Sequence, residues 1–152
     1  MGYSHYLWRP RKLDPEKFKL VVRDFRRAAE AVAEIDGLEI AGWDGTGSPE
    51  VGLEFISFNG VEREGEAFET MRVDRVKRNT EWQDQLQQDL LLDFCKTGRK
   101  PYDILVVALL LIVKYHYQDE VVIKSDGGPG DLQPGWMLCQ RILGYSKQPV
   151  MG

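Results

Sequence analysis

Three cations and a hydroxyl gather where a strand-like run gives way to a helical one: Cys95-Lys96-Thr97-Gly98-Arg99-Lys100-Pro101-Tyr102-Asp103. A helix opening there offers unpaired backbone N–H groups and the positive end of its dipole, both of which favour an anion. Arg99 can clamp a phosphate or carboxylate with two parallel hydrogen bonds, and Gly98 lets the backbone approach a ligand closely. The run is not a Walker loop, because Gly-x-x-x-x-Gly-Lys-Ser/Thr is absent. The reading that follows is a site for a phosphorylated, nucleotide-like small molecule, with Lys96, Thr97, Arg99 and Lys100 on phosphate and Tyr102 or Tyr6 against a base. A solvated basic loop ahead of a helix is the plainer alternative.

Other residues bear chemistry less directly. Asp103 falls in the first helical turn, where the dipole stabilises a carboxylate whatever else it does. Cys95 stands at a strand end beside Lys96, so it is either a nucleophile or, more simply, a buried inert thiol. His5 and His116 are the two imidazoles. A zinc site would have to collect them with Cys95 and Cys139 from four separate elements, and no two have the close spacing of common zinc ligands; no metal and no cofactor is expected. His116 lies about 20 Å along the helix from the cationic turn, where a role at the helix C-terminus is expected. His5 sits among Tyr3, Tyr6 and Trp8, aromatic groups that belong to a sheet face or stack a base. Ser125-Asp126-Gly127 follows a strand. An exposed Asp126 there can accept ribose hydroxyls or act as a base, or the three residues simply form a turn. With Asp126 or His5 as acid or base, the chain reads alternatively as a hydrolase of a nucleotide-like substrate; a third reading is a protein-interaction module with no small ligand.

These residues need elements to position them. An aromatic strand over 3–8 ends at Pro10. Asp14 caps and Pro15 opens a helix in which Phe18, Val21, Val22, Phe25, Ala28, Ala29 and Val32 recur at helical spacing, running to about Ile35 and stopped by Asp36-Gly37. Its charged residues Arg23, Arg26, Arg27, Glu30 and Glu34 read as a solvated face. Short β-prone runs at 38–41, 52–58 and 67–73 imply an antiparallel meander, with Asn59-Gly60 as a hairpin signal and 44–49 as a loop. Residues 79–89 fit a short helix or a loop. A buried strand over 90–95, a helix from Pro101 to about Tyr117, a strand over 120–124 and a short helix capped by Asp131 and ending at Leu143 complete the chain, with 146–152 as an extended tail. Strand, helix, strand in that order predicts a parallel pair joined by a crossover, which brings the loops 96–100 and 125–130 to one edge of the sheet. The expected architecture is α+β: one domain over 1–152 with a mixed sheet containing that parallel β-α-β unit, and two main helices.

Composition bounds the partners. The 152 residues suit one domain, and 43% hydrophobic with 29% charged residues is an ordinary globular balance. A formal charge of −4 argues against a general nucleic-acid surface. The apolar run 104–113 is too short for a bilayer-spanning helix, and the basic start lacks the apolar core of a secretory signal, so a cytoplasmic, membrane-free protein with reduced cysteines is expected.

Gly2-Tyr3-Ser4-His5-Tyr6 and Phe94-Cys95-Lys96-Thr97-Gly98-Arg99-Lys100-Pro101-Tyr102-Asp103, with Ser125-Asp126-Gly127 downstream, resemble the markers of a family of uncharacterised phage and bacterial proteins, over most of the chain. The resemblance carries no activity with it. A phage setting implies by analogy a sponge-like protein that sequesters a nucleotide signal of host defence, with its pocket commonly formed between subunits of a homo-oligomer.

Overall fold

A computed structural model describes residues 3–78 and 90–147. The first helix forms where the spacing predicts: α1 spans Pro15–Asp36, the Asp14 carboxylate accepts from the Lys17 N–H, and Gly37 closes the helix at φ 67°. Phe18, Val21, Val22, Phe25, Ala28 and Val32 are all buried on one face. The second helix, α2 (Asp103–Tyr117), is buried on every side from Leu105 to Val113, which explains its unbroken apolar run. It begins two residues later than its proline implies, because Pro101 and Tyr102 belong to the preceding turn. It packs against α1 and against α3, Pro129–Leu143. With α3 at full length, the described residues hold three principal helices rather than two.

The strands are β1 (Ser4–Arg9), β2 (Glu50–Val51), β3 (Phe55–Phe58), β4 (Met71–Asp74), β5 (Leu91–Lys96) and β6 (Val122–Ser125). They form two antiparallel three-stranded sheets in the orders β5-β1-β6 and β2-β3-β4. The α+β class and the antiparallel meander are therefore observed. The expected parallel pair is not: β5 and β6 do not pair, because β1 from the start of the chain lies between them and runs antiparallel to both. A strand antiparallel to each neighbour leaves β5 and β6 pointing the same way, so the loops after them still leave the sheet at one end, beside the start of β1.

The meander also differs in detail. Residues 38–41 contribute an isolated bridge, Ala41 to Asn59, instead of a strand. Asn59-Gly60 makes no tight hairpin: the buried Asn59 amide accepts from the N–H groups of Gly60 and Phe68 and donates to the carbonyls of Trp43 and Phe68. Those bonds organise the long connection to β4, overriding the two-residue turn signal. The 79–89 segment lies outside the described residues.

Arg9, at the end of β1, is fully buried. Its guanidinium donates to the carbonyls of Pro10, Arg11, Asp74 and Arg75 and to the Asp93 carboxylate at 3.2 Å, while Lys77 Nζ reaches the other Asp93 oxygen at 2.7 Å. This ties the two sheets together. One cluster of buried side chains includes residues of both sheets and all three helices.

Candidate functional site

At the shared end of β5, β1 and β6, alternation along β1 turns Tyr3, His5 and Leu7 toward the helices and Tyr6 and Trp8 away from them. His5, 1% exposed, lies beneath the opening of α2. Its Nε2 is 2.6 Å from Asp103 Oδ1 and its Nδ1 is 2.8 Å from Ser125 Oγ. A carboxylate only accepts, so Nε2 carries a proton, and in the neutral ring Nδ1 then accepts from the Ser125 hydroxyl. Thr97 Oγ1 donates to the same Asp103 oxygen at 2.5 Å, and the Gly127 N–H donates to Ser125 Oγ at 2.9 Å. Three segments distant in sequence thus share one directional chain: Gly127 N–H to Ser125, Ser125 to His5, then His5 and Thr97 to Asp103.

Two of the three cations of the turn, Arg99 and Lys100, donate to internal partners. Gly98 and Arg99 both adopt left-handed backbone, φ 59° and 62°. A Cβ on Gly98 would also sit 2.5 Å from the Phe68 ring, so this glycine serves the turn and its packing, not the approach of a ligand. Arg99 stacks its guanidinium 4.0 Å from the Tyr3 ring and donates to Asp131 Oδ1 at 2.6 Å. Lys100 donates to the Gly65 carbonyl. Lys96 lies 5.8 Å from the Phe68 ring. Thr97 is buried with its hydroxyl spent on Asp103. Tyr102 is fully buried and donates to the Glu69 carbonyl, so it offers no face to a base. The anion positions are filled by the chain's own carboxylates. Asp103 occupies the start of α2. Asp131 lies inside α3 rather than capping it, and its other oxygen accepts the N–H of the cap residue Gly128. Hydrogen bonds from Arg99 and Gly128 hold the Asp131 carboxyl below its ordinary range. Asp126 Oδ2 accepts the Ser4 N–H at 3.0 Å and lies 3.4 Å from the Tyr6 hydroxyl.

Two features here had no sequence signal. Tyr3 is 6% exposed, and its hydroxyl is the one buried side-chain polar atom without a partner among the described residues. Burial, with the Asp103 and Asp131 carboxylates nearby, pushes its pKa up against smaller downward pulls from Arg99 and the Ser125 hydroxyl, so it remains an O–H donor. Gly127 closes over it: any Cβ there would collide with the Tyr3 oxygen. The second is the outer face of the sheet, where the register aligns Phe94, Tyr6 and Lys124 in one row and Leu92, Trp8 and Val122 in the next. Phe94 is 54% exposed. The expected buried strand over 90–95 instead alternates, with Leu91, Asp93 and Cys95 inward and Phe94 outward, because β5 covers the core on one face alone.

Cys95 is buried, and burial pushes its thiol up to about 12, the range of an inert thiol. Both cysteines are free. His116, at the far end of α2, donates to Asp24 Oδ2 at 2.8 Å, a specific partner in place of a general interaction with the helix end. Among the described residues, no three His, Cys, Asp or Glu side chains gather as a metal site, and no helix is long and apolar enough to cross a membrane.

Neither family models, nor curated proteins, nor solved structures match this chain.

Proposed function

We propose that the chain binds a phosphorylated, nucleotide-like small molecule on the outer face of the β5-β1-β6 sheet, at its loop-bearing end. The observation that carries this reading is the cross-strand row of Phe94, Tyr6 and Lys124. Aromatic side chains on a sheet face stack bases at about 1–3 kcal/mol each and tolerate any base, since every base has a π-face. Lys96 and Lys124 project from the same face and offer charge to phosphate. Asp126, fixed by Ser4 and Tyr6 through Oδ2, leaves Oδ1 for ribose hydroxyls. The base thus moves from Tyr102 to Tyr6 with Phe94. Phosphate moves from Thr97, Arg99 and Lys100 to the two lysines. Two lysines on an acidic chain suit one small ligand rather than a nucleic-acid backbone.

A thermal-shift panel of mono-, di- and cyclic nucleotides tests this. The expected result is that at least one raises Tm, by the equivalent of about 2.7 kcal/mol at a hundredfold excess over Kd. Tyr6→Ala and Phe94→Ala should each remove the shift while Arg99→Ala keeps it. If Arg99→Ala alone abolishes it, phosphate belongs at the turn. Recovery of the ligand unchanged is the outcome expected of a sequestering protein. A panel without any shift, together with a co-purifying protein, supports the interaction-module reading.

A further inference from the structure

We infer that Ser125 is an activated nucleophile that accepts an acyl group from a small activated ester. Its hydroxyl is 2.8 Å from His5 Nδ1, whose other nitrogen is 2.6 Å from Asp103, which supplies the nucleophile, base and orienting carboxylate that acyl transfer needs. The second, independent observation is Tyr3: an unpartnered, buried O–H packed against Gly127, two residues from the nucleophile, where a developing oxyanion would find a donor.

The step balances within these groups. The Ser125 O–H bond breaks and its proton passes to His5 Nδ1. The Oγ–C bond forms, and the ester C–O bond breaks with its electron pair leaving on the departing oxygen. His5 remains as an imidazolium beside the Asp103 carboxylate. Because the His5 side chain is fully shielded from solvent, it does not readily activate a water for the reverse proton transfer, so the adduct persists and turnover is slow.

The probe is p-nitrophenyl acetate, followed by release of p-nitrophenolate and by peptide mass analysis. The expected result is a burst of about one equivalent per chain, with the acetyl group on Ser125. Ser125→Ala removes both signals. Tyr3→Phe slows the burst at least about tenfold, as loss of an oxyanion donor does. His5→Gln, where circular dichroism shows it folded, slows it about a hundredfold or more. The inference is overturned by a folded wild-type chain that gives no Ser125 adduct, by acetyl found only on tyrosine or lysine, by Tyr3→Phe reacting at the wild-type rate, or by a urea-unfolded chain acetylating Ser125 as fast as the folded one. No nucleotide takes part, so this result and the nucleotide titration fail or succeed separately.

Discussion

The two histidines each meet one aspartate, and the two couples are built for different ends. At the helical side, His116 from α2 and Tyr145 from the segment after α3 both donate to Asp24 Oδ2 on α1, at 2.8 and 2.7 Å, while Arg23 takes Oδ1. Tyr145 also stacks on Tyr115, ring centroids 3.8 Å apart. Asp24 is 2% exposed, and its partners are settled within the cluster. At the sheet end, His5 and Asp103 carry the same pairing, but the chain leads outward to Ser125 and runs beside a tyrosine hydroxyl with no partner. A closed couple clamps helices. An open one has capacity left for something outside the chain. The comparison teaches that pairing a histidine with an aspartate says little about function until the remaining donors and acceptors are followed to their ends.

The sharpest way to break that contrast is to remove each carboxylate. Asp24→Ala strands the buried Tyr145 hydroxyl and the half-buried His116 and should lower unfolding free energy by about 3–5 kcal/mol in urea titrations. Asp103→Ala should cost less, about 1–3 kcal/mol for leaving the buried His5 and Thr97 donors unpaired, because the carboxylate removed is itself 16% exposed. Equal losses would erase the distinction. Next come the tyrosines. Tyr145→Phe forfeits a hydrogen bond to a charged acceptor and should lose about 1.5–3 kcal/mol. Tyr3→Phe removes an unsatisfied hydroxyl and should gain about 1 kcal/mol, read as a raised Tm. A loss there would mean that Tyr3 already has a partner.

Acid sharpens the difference further. Burial alone would raise the Asp24 carboxyl, but hydrogen bonds from His116, Tyr145 and Arg23 outweigh it and hold it below its ordinary range. The unfolded chain therefore takes up this proton first as pH falls. The stabilisation is present above the unfolded carboxylate pKa of about 3.9 and is lost as pH drops through the lower folded value. Urea midpoints of Asp24→Asn should accordingly be flatter below about pH 5 than those of the wild type. The smallest effect is expected from Arg99→Ala, since its pair with Asp131 is exposed and screened; added salt should leave the wild-type and variant midpoints close together.

Much of the fold was legible because its signals are local. Asp14-Pro15, the spacing from Phe18 to Val32 and Gly37 delimit α1 within the residues that form it. The apolar run in α2 announced burial on every side. The candidate site was legible only as a list of parts. Ser125, His5 and Asp103 were each singled out, yet their alignment depends on β1 entering between β5 and β6, with 98 residues separating His5 from Asp103. Arg9 showed no sign of burial, because two of the four carbonyls that satisfy it, and the Asp93 carboxylate, come from segments far away in sequence. Asn59-Gly60 misled because a side chain able to serve four backbone groups organised a long loop instead of a turn.

What the sequence determined alone is what neighbouring residues decide among themselves: the capped first helix, the buried second helix, the α+β class and the chemistry present near 95–103 and 125–127. Tertiary structure decided which cations stayed free, which strand divided the expected pair and where each histidine proton points. Those outcomes depend on partners brought together across long stretches of chain. Pairing energies at that range are set by the assembled core and the exclusion of water, and no local pattern records them.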